Sequence, residues 1–157
     1  MQIKLKKQKG FTLIEALIIV SISVLLTVTA LPIYSNLQIS SQLQGNTSQI
    51  IQIIRTAREK STSGLNNTQH GVYFQADRYI LYQGTSYSLR NASYDREMML
   101  DDVLRIIRNL TGSGEADDLN FSKGFGVPNK TGTITLTHEI QGNSLISINN
   151  LGMIEKQ

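Results

Sequence analysis

Cysteine is absent from the 157 residues. No disulfide framework and no thiolate metal site can therefore exist, and a folded head must be held by its core alone. Histidine occurs only twice, as His70 and His138, neither with an acidic partner at a recognisable spacing. That argues against metal ligation and general-base chemistry at these positions. No phosphate-cradling glycine loop, no His-Glu-x-x-His pair and no nucleophile elbow is present, so neither an enzyme nor a bound cofactor is expected. Charge is missing from one long stretch: no charged residue lies between Glu15 and Arg55.

The formal net charge of +3 belongs to one end of the chain. Four of the fifteen basic residues are Lys4, Lys6, Lys7 and Lys9. Without them, eleven basic residues face twelve acidic ones. The basic balance is thus local to the first ten residues and does not indicate a nucleic-acid-binding surface.

The apolar run Phe11 to Leu31 contains 21 residues, close to the roughly 20 that cross a hydrocarbon core of about 30 Å as a helix. The lysines before it predict that this end stays in the cytoplasm. A secretory signal peptide would have a shorter apolar run and a small-residue cleavage site, whereas here the run leads into Leu31-Pro32-Ile33-Tyr34. A plain membrane anchor would explain the length and the lysines but not Glu15. A carboxylate inside an apolar segment is costly without a partner and marks a functional position.

Lys9-Gly10-Phe11-Thr12-Leu13-Ile14-Glu15 resembles the type IV prepilin signature, and Ala30-Leu31-Pro32-Ile33-Tyr34 resembles the helix kink of type IV pilins. The resemblance implies that a prepilin peptidase cuts between Gly10 and Phe11 and N-methylates Phe11. It also implies that Glu15 serves assembly with other pilin or pseudopilin subunits, and that Pro32 kinks the helix. Physical reasoning agrees on Glu15. Cleavage would leave a Phe11 ammonium one helical turn from the Glu15 carboxylate. Pairing between neighbouring subunits would satisfy both charges, and removing one partner of a buried pair costs about 3–5 kcal/mol.

Beyond Pro32, which removes a backbone donor, apolar residues recur at helical spacing: Ile33, Leu37, Ile50, Ile54 and Ala57, widened by Ile51 and Ile53. One helix running through Gly45, at a cost of about 1 kcal/mol, is preferred to two. The expected divisions are a cleaved leader over 1–10, a helix over 11–60 spanning the membrane in 11–31, and a β-rich head over 61–157.

In the head, Gly71–Gln75 and Arg78–Tyr82 read as strands joined by a two-residue turn at Ala76-Asp77. Tyr87-Ser88-Leu89 reads as a third. Thr131 to Thr137 alternates as a half-buried strand does. It is expected to pair with Ser144 to Ile148 across Gln141-Gly142-Asn143, with Met153 to Glu155 as a last strand. Glu97 to Leu110 is ambiguous between helix and strand, with Asp101-Asp102 as a candidate turn. The C-terminal pattern, from Gly124-Phe125-Gly126 to Asn149-Asn150-Leu151-Gly152, resembles that of GspH/FimT-like minor pseudopilins, which favours strands for Val103 to Leu110. The expected fold class is α+β: a long hydrophobic pilin-like helix packed against a small antiparallel sheet. Glu115, Asp117 and Asp118 form an acidic group read as a solvated loop, with calcium as the minor alternative.

The leading function is a structural minor subunit of a type IV pilus or a type II secretion-like pseudopilus. It would pass once through the cytoplasmic (inner) membrane with its N-terminus inside and head outside, and then enter a periplasmic or extracellular filament. The alternatives are a DNA-binding minor pilin for DNA uptake and an uncleaved membrane-anchored binding module. Nucleic acid is not expected as a partner, because the tail Leu151–Gln157 holds one base and one acid. A cluster of Arg90, Arg96, Arg105 and Arg108 would be the route to it.

Overall fold

From Leu13–Thr62 the backbone is one helix, α1, which runs through Gly45. The computed structural model describes residues 10–140 and 142–157. Residues 1–9, with their four lysines, and Gln141 lie outside the described residues, as do the side chains at 29–33, where the kink at Pro32 was expected. The described residues fall into two units, one ending at Gln38 and the other Ile39–Gln157.

In the first unit every large apolar side chain from Phe11 to Val28 is exposed. Its hydroxyls turn inward on the helix. Ser21, Ser23 and Thr27 each donate to the carbonyl four residues earlier, at 2.8 Å. That pattern leaves an outer surface of nearly pure hydrocarbon, since a Ser or Thr hydroxyl bonded to its own helix needs no outside partner. Among the described residues no helix is long and apolar enough to cross a membrane. The apolar run of the sequence continues into positions 29–31, whose side chains are outside the description.

In the second unit, α1 presents Leu43, Ile50, Ile53, Ile54 and Ala57 on one buried stripe. Spacings of three, four and seven put them on one helical face. Leu37, expected on that stripe, is exposed and belongs to the first unit.

The strands are β1 (His70–Phe74), β2 (Arg78–Gln83), β3 (Arg96–Met99), β4 (Leu104–Gly112), β5 (Asp118–Phe121), β6 (Lys130–His138), β7 (Asn143–Ile148) and β8 (Ile154–Lys156). They form two antiparallel four-stranded sheets rather than one, ordered β3-β2-β1-β5 and β4-β6-β7-β8. The α+β class holds. Val72, Phe74, Tyr79, Leu81, Leu119 and Phe121 of the first sheet join one core with Leu104, Ile106, Ile134, Leu136, Ile146 and Ile148 of the second and the α1 stripe. Burying a side chain of this size contributes about 1.5–3 kcal/mol.

The β1–β2 hairpin closes over Ala76-Asp77, with Gln75 N–H donating to Arg78 C=O at 2.8 Å. Glu97 to Leu110 resolves into β3 and most of β4, with a turn at Asp102-Val103. Two expectations are corrected. Tyr87-Ser88-Leu89 is a loop, not a strand. The Tyr87 ring stacks on Tyr73 at 3.8 Å and meets Tyr82 edge-on at 5.7 Å, so the loop spends its aromatic residue covering the outer face of the first sheet. The acidic group is a loop only in part: Glu115 and Asp117 lie in a half-exposed loop, but Asp118 opens β5 and is 1 % exposed.

Candidate functional site at the helix N-terminus

Gly10, Phe11 and Glu15 all lie in the first unit, where α1 begins. Among the described residues, nothing stands within 4 Å of where a Cβ at Gly10 would be. The described residues therefore give no packing reason for a glycine there. Phe11 is 80 % exposed and Leu13 85 %.

Glu15 is held by Thr12. The Thr12 backbone N–H and hydroxyl both donate to Glu15 Oε2, at 3.3 and 3.2 Å. The Thr12 hydroxyl stands 3.3 Å from the Glu15 backbone N–H, as its acceptor. Thr12 C=O also receives the Ala16 N–H at 3.2 Å. This is a capping box, in which the N-cap and N3 residues satisfy each other's orphan donors. The carboxylate also sits where the helix dipole favours negative charge. Reading Glu15 as a lone charge in an apolar run missed this, although the Thr-x-x-Glu spacing that signals it is plain in the sequence. An acceptor with several lone pairs can serve Thr12 and still receive a cation from elsewhere.

The other candidates take structural roles. His70 is buried, and its backbone N–H donates to Ser61 Oγ at 2.8 Å. Burial, with Lys60 nearby, lowers its pKa. His138 Nδ1 accepts from Ile140 N–H at 3.2 Å. Each carboxylate of the acidic group has its own partner. Glu115 accepts from Ser88 N–H at 3.1 Å, and Asp117 pairs with Arg108 at 2.9 Å. Asp118 receives the Tyr82 hydroxyl in a short hydrogen bond. Among the described residues no group of three or more His, Asp or Glu could hold a metal ion.

The Asp118 site is built by Gly71. Gly71 lies opposite Tyr82 on β2 and Asn120 on β5. A Cβ at 71 would fall 2.6 Å from Tyr82 Cζ and 2.8 Å from Leu119 O. Its absence lets Tyr82 reach across β1. Asn120 Nδ2 then donates to the Tyr82 hydroxyl at 2.7 Å and to Gly84 C=O at 3.0 Å. Burial raises the pKa of both Asp118 and Tyr82.

The arginines weighed for nucleic acid are largely engaged. Arg90 pairs with Asp95 at 2.7 Å and lies over the Tyr87 ring at 3.8 Å. Arg108 is neutralised by Asp117. Arg96 belongs to the first sheet and Arg105 to the second.

Residues 5–31 match the family model described as the prokaryotic N-terminal methylation motif. The fold is shared with the minor pseudopilin EpsH from the Type 2 Secretion System of Vibrio cholerae. One EpsH structure aligns at a TM-score of 0.55 with 14% identity, covering 74% of this chain and 96% of that one. A second EpsH crystal structure gives 0.54 and 14%, with 74% and 93% covered. No curated protein matches the sequence. The chain thus joins a prokaryotic N-terminal methylation motif to a head with the fold seen in the EpsH minor pseudopilin.

Proposed function

We propose that this chain is a minor subunit of a type IV pilus or a type II secretion-like pseudopilus, cut after Gly10, N-methylated on Phe11 and anchored by residues 11–31. The observation that carries the reading is Gly10. The methylation motif spans it, and among the described residues nothing is placed against it, which supports a glycine that answers to an outside agent such as a prepilin peptidase. The exposed hydrocarbon from Phe11 to Val28 then has two occupations in turn. It faces lipid in the cytoplasmic membrane, and later the helices of neighbouring subunits. Glu15 supports the second stage. Its carboxylate, already oriented by Thr12, receives the Phe11 ammonium of an adjacent subunit and sets the stacking register.

The test is the mass of the mature protein from peptidase-positive cells. It should begin at methylated Phe11. An N-terminus at Met1 would overturn the reading and leave an uncleaved anchor.

A further inference from the structure

The head carries an open strand edge beside a cleft, and the two fit a common ligand. β8 is the last strand of the second sheet. Asn149 N–H donates to Met153 C=O at 3.2 Å and Gln157 N–H to Leu145 C=O at 2.9 Å. In an antiparallel pair, bonded positions alternate, and β7 pairs with β8 in that same register. Residues 153, 155 and 157 therefore face β7. The N–H and C=O groups of Ile154 and Lys156 point the other way.

That outward side borders a cleft against α1. One part, about 410 Å³, is lined by Arg55, Glu59 and Ile154 among others. A second, about 710 Å³, runs from Ser48 and Gln52 to Lys156. The two share Arg55, Ile154 and Glu155. Arg55 donates to the outward carbonyl of Ile154 at 3.3 Å. Arg58 donates to Gly126 C=O and Leu151 C=O, both at 3.1 Å. Among the described residues neither guanidinium forms an ion pair; the salt bridges there involve Arg78, Arg90 and Arg108. The pleat puts Lys156 on the same face as buried Ile154 and Glu155 on the other. The cleft thus holds three cations, Arg55, Arg58 and Lys156, against two carboxylates, Glu59 and Glu155, with the Glu155 side chain on the far face of β8.

We propose that this edge binds an extended, acidic segment of a partner polypeptide, which adds to β8 as a further antiparallel strand. Exposed edges are templates for such pairing, and main-chain bonds supply affinity while alternate side chains supply specificity. The incoming strand donates an amide to Ile154 C=O in place of Arg55. It accepts from the Ile154 and Lys156 amides, and its acidic side chains take the released Arg55 guanidinium and Lys156. The site lies wholly in the second unit, and its occupation does not depend on cleavage at Gly10.

The experiment uses the full chain in detergent micelles and three probes: a peptide alternating Val and Glu, its Val and Lys counterpart, and duplex DNA. The Val/Glu peptide should bind with a micromolar Kd. It should slow hydrogen exchange at the Ile154 and Lys156 amides by about tenfold or more, leaving Glu155 unchanged. Lys156→Pro removes an outward N–H without touching the β7 ladder and should weaken binding about tenfold. Arg55→Glu should shift preference to the Val/Lys peptide. If Lys156→Pro disturbs folding, the wild-type exchange pattern decides by itself. Equal binding of both peptides, no slowing at Ile154 and Lys156, or binding of duplex DNA alone would overturn the proposal.

Discussion

Thr12 and Glu15 close the first turn of α1 on each other: Glu15 Oε2 accepts the Thr12 N–H at 3.3 Å, and the Thr12 hydroxyl faces the Glu15 N–H at the same distance. Glu15 therefore has two separable properties, an acceptor that caps its own helix and a negative charge available to a neighbour.

Substitution can divide them. Glu15→Gln keeps a capping-box acceptor and deletes the charge, while Glu15→Ala deletes both. If charge governs assembly, both variants should lose co-purification with the other filament subunits at an undiminished membrane level. If capping governs, Gln should retain it and Ala should not, with Thr12→Val behaving like Ala and costing about 0.5–2 kcal/mol of helix stability. Full incorporation of all three variants would remove any role for Glu15 in assembly.

A bulky residue at Gly10 should stop processing and nothing else. Because no described residue lies near the Gly10 position, Gly10→Val should leave the circular dichroism spectrum unchanged. The uncut form should accumulate in cells holding the peptidase. Normal cleavage of Gly10→Val would show that the junction is not read there.

The burial of Asp118 beneath Tyr82 predicts a pH signature. Asp118 has its pKa raised, chiefly by burial. The folded chain thus keeps a proton that the unfolded chain gives up. The stabilisation is fully present below the unfolded pKa and is lost as pH rises through the folded value. Urea midpoints of a chain beginning at Ser35 should therefore fall across that window, and Asp118→Asn should flatten this part of the profile. Tyr82→Phe leaves the carboxylate without its hydroxyl donor and should cost about 1–3 kcal/mol. An identical pH profile in wild type and Asp118→Asn would refute the assignment.

Arg58 ties two turns together through Gly126 C=O and Leu151 C=O. Gly152 sits between them at φ 72°, where a Cβ would fall 2.9 Å from Gly126 O. Gly152→Ala should destabilise the head by at least the roughly 1–2 kcal/mol of a left-handed non-glycine residue. Arg58→Lys, which lacks the forked donors, should lower the midpoint as well. A Gly152→Ala chain as stable as wild type would show that the turn relaxes freely.

What the amino-acid sequence determined by itself is local. The N-terminal lysines, the uncharged run, the Gly10-Phe11 pair and the Thr12–Glu15 spacing are all read within a few residues. The alternation of β6 and the turn at Ala76-Asp77 are equally local, because period and turn chemistry act between chain neighbours. Tertiary structure alone decided how the strands divide into two sheets, since pairing between distant segments leaves no local period. It also turned an acidic triplet into three separately partnered side chains. Tyr82 and Asp118 stand 36 positions apart, and only the Gly71 gap across β1 lets them meet. The same holds for the β8 edge. Its strand pattern is visible in sequence, but its position beside Arg55, 99 positions away, depends on packing α1 and the two sheets around one core.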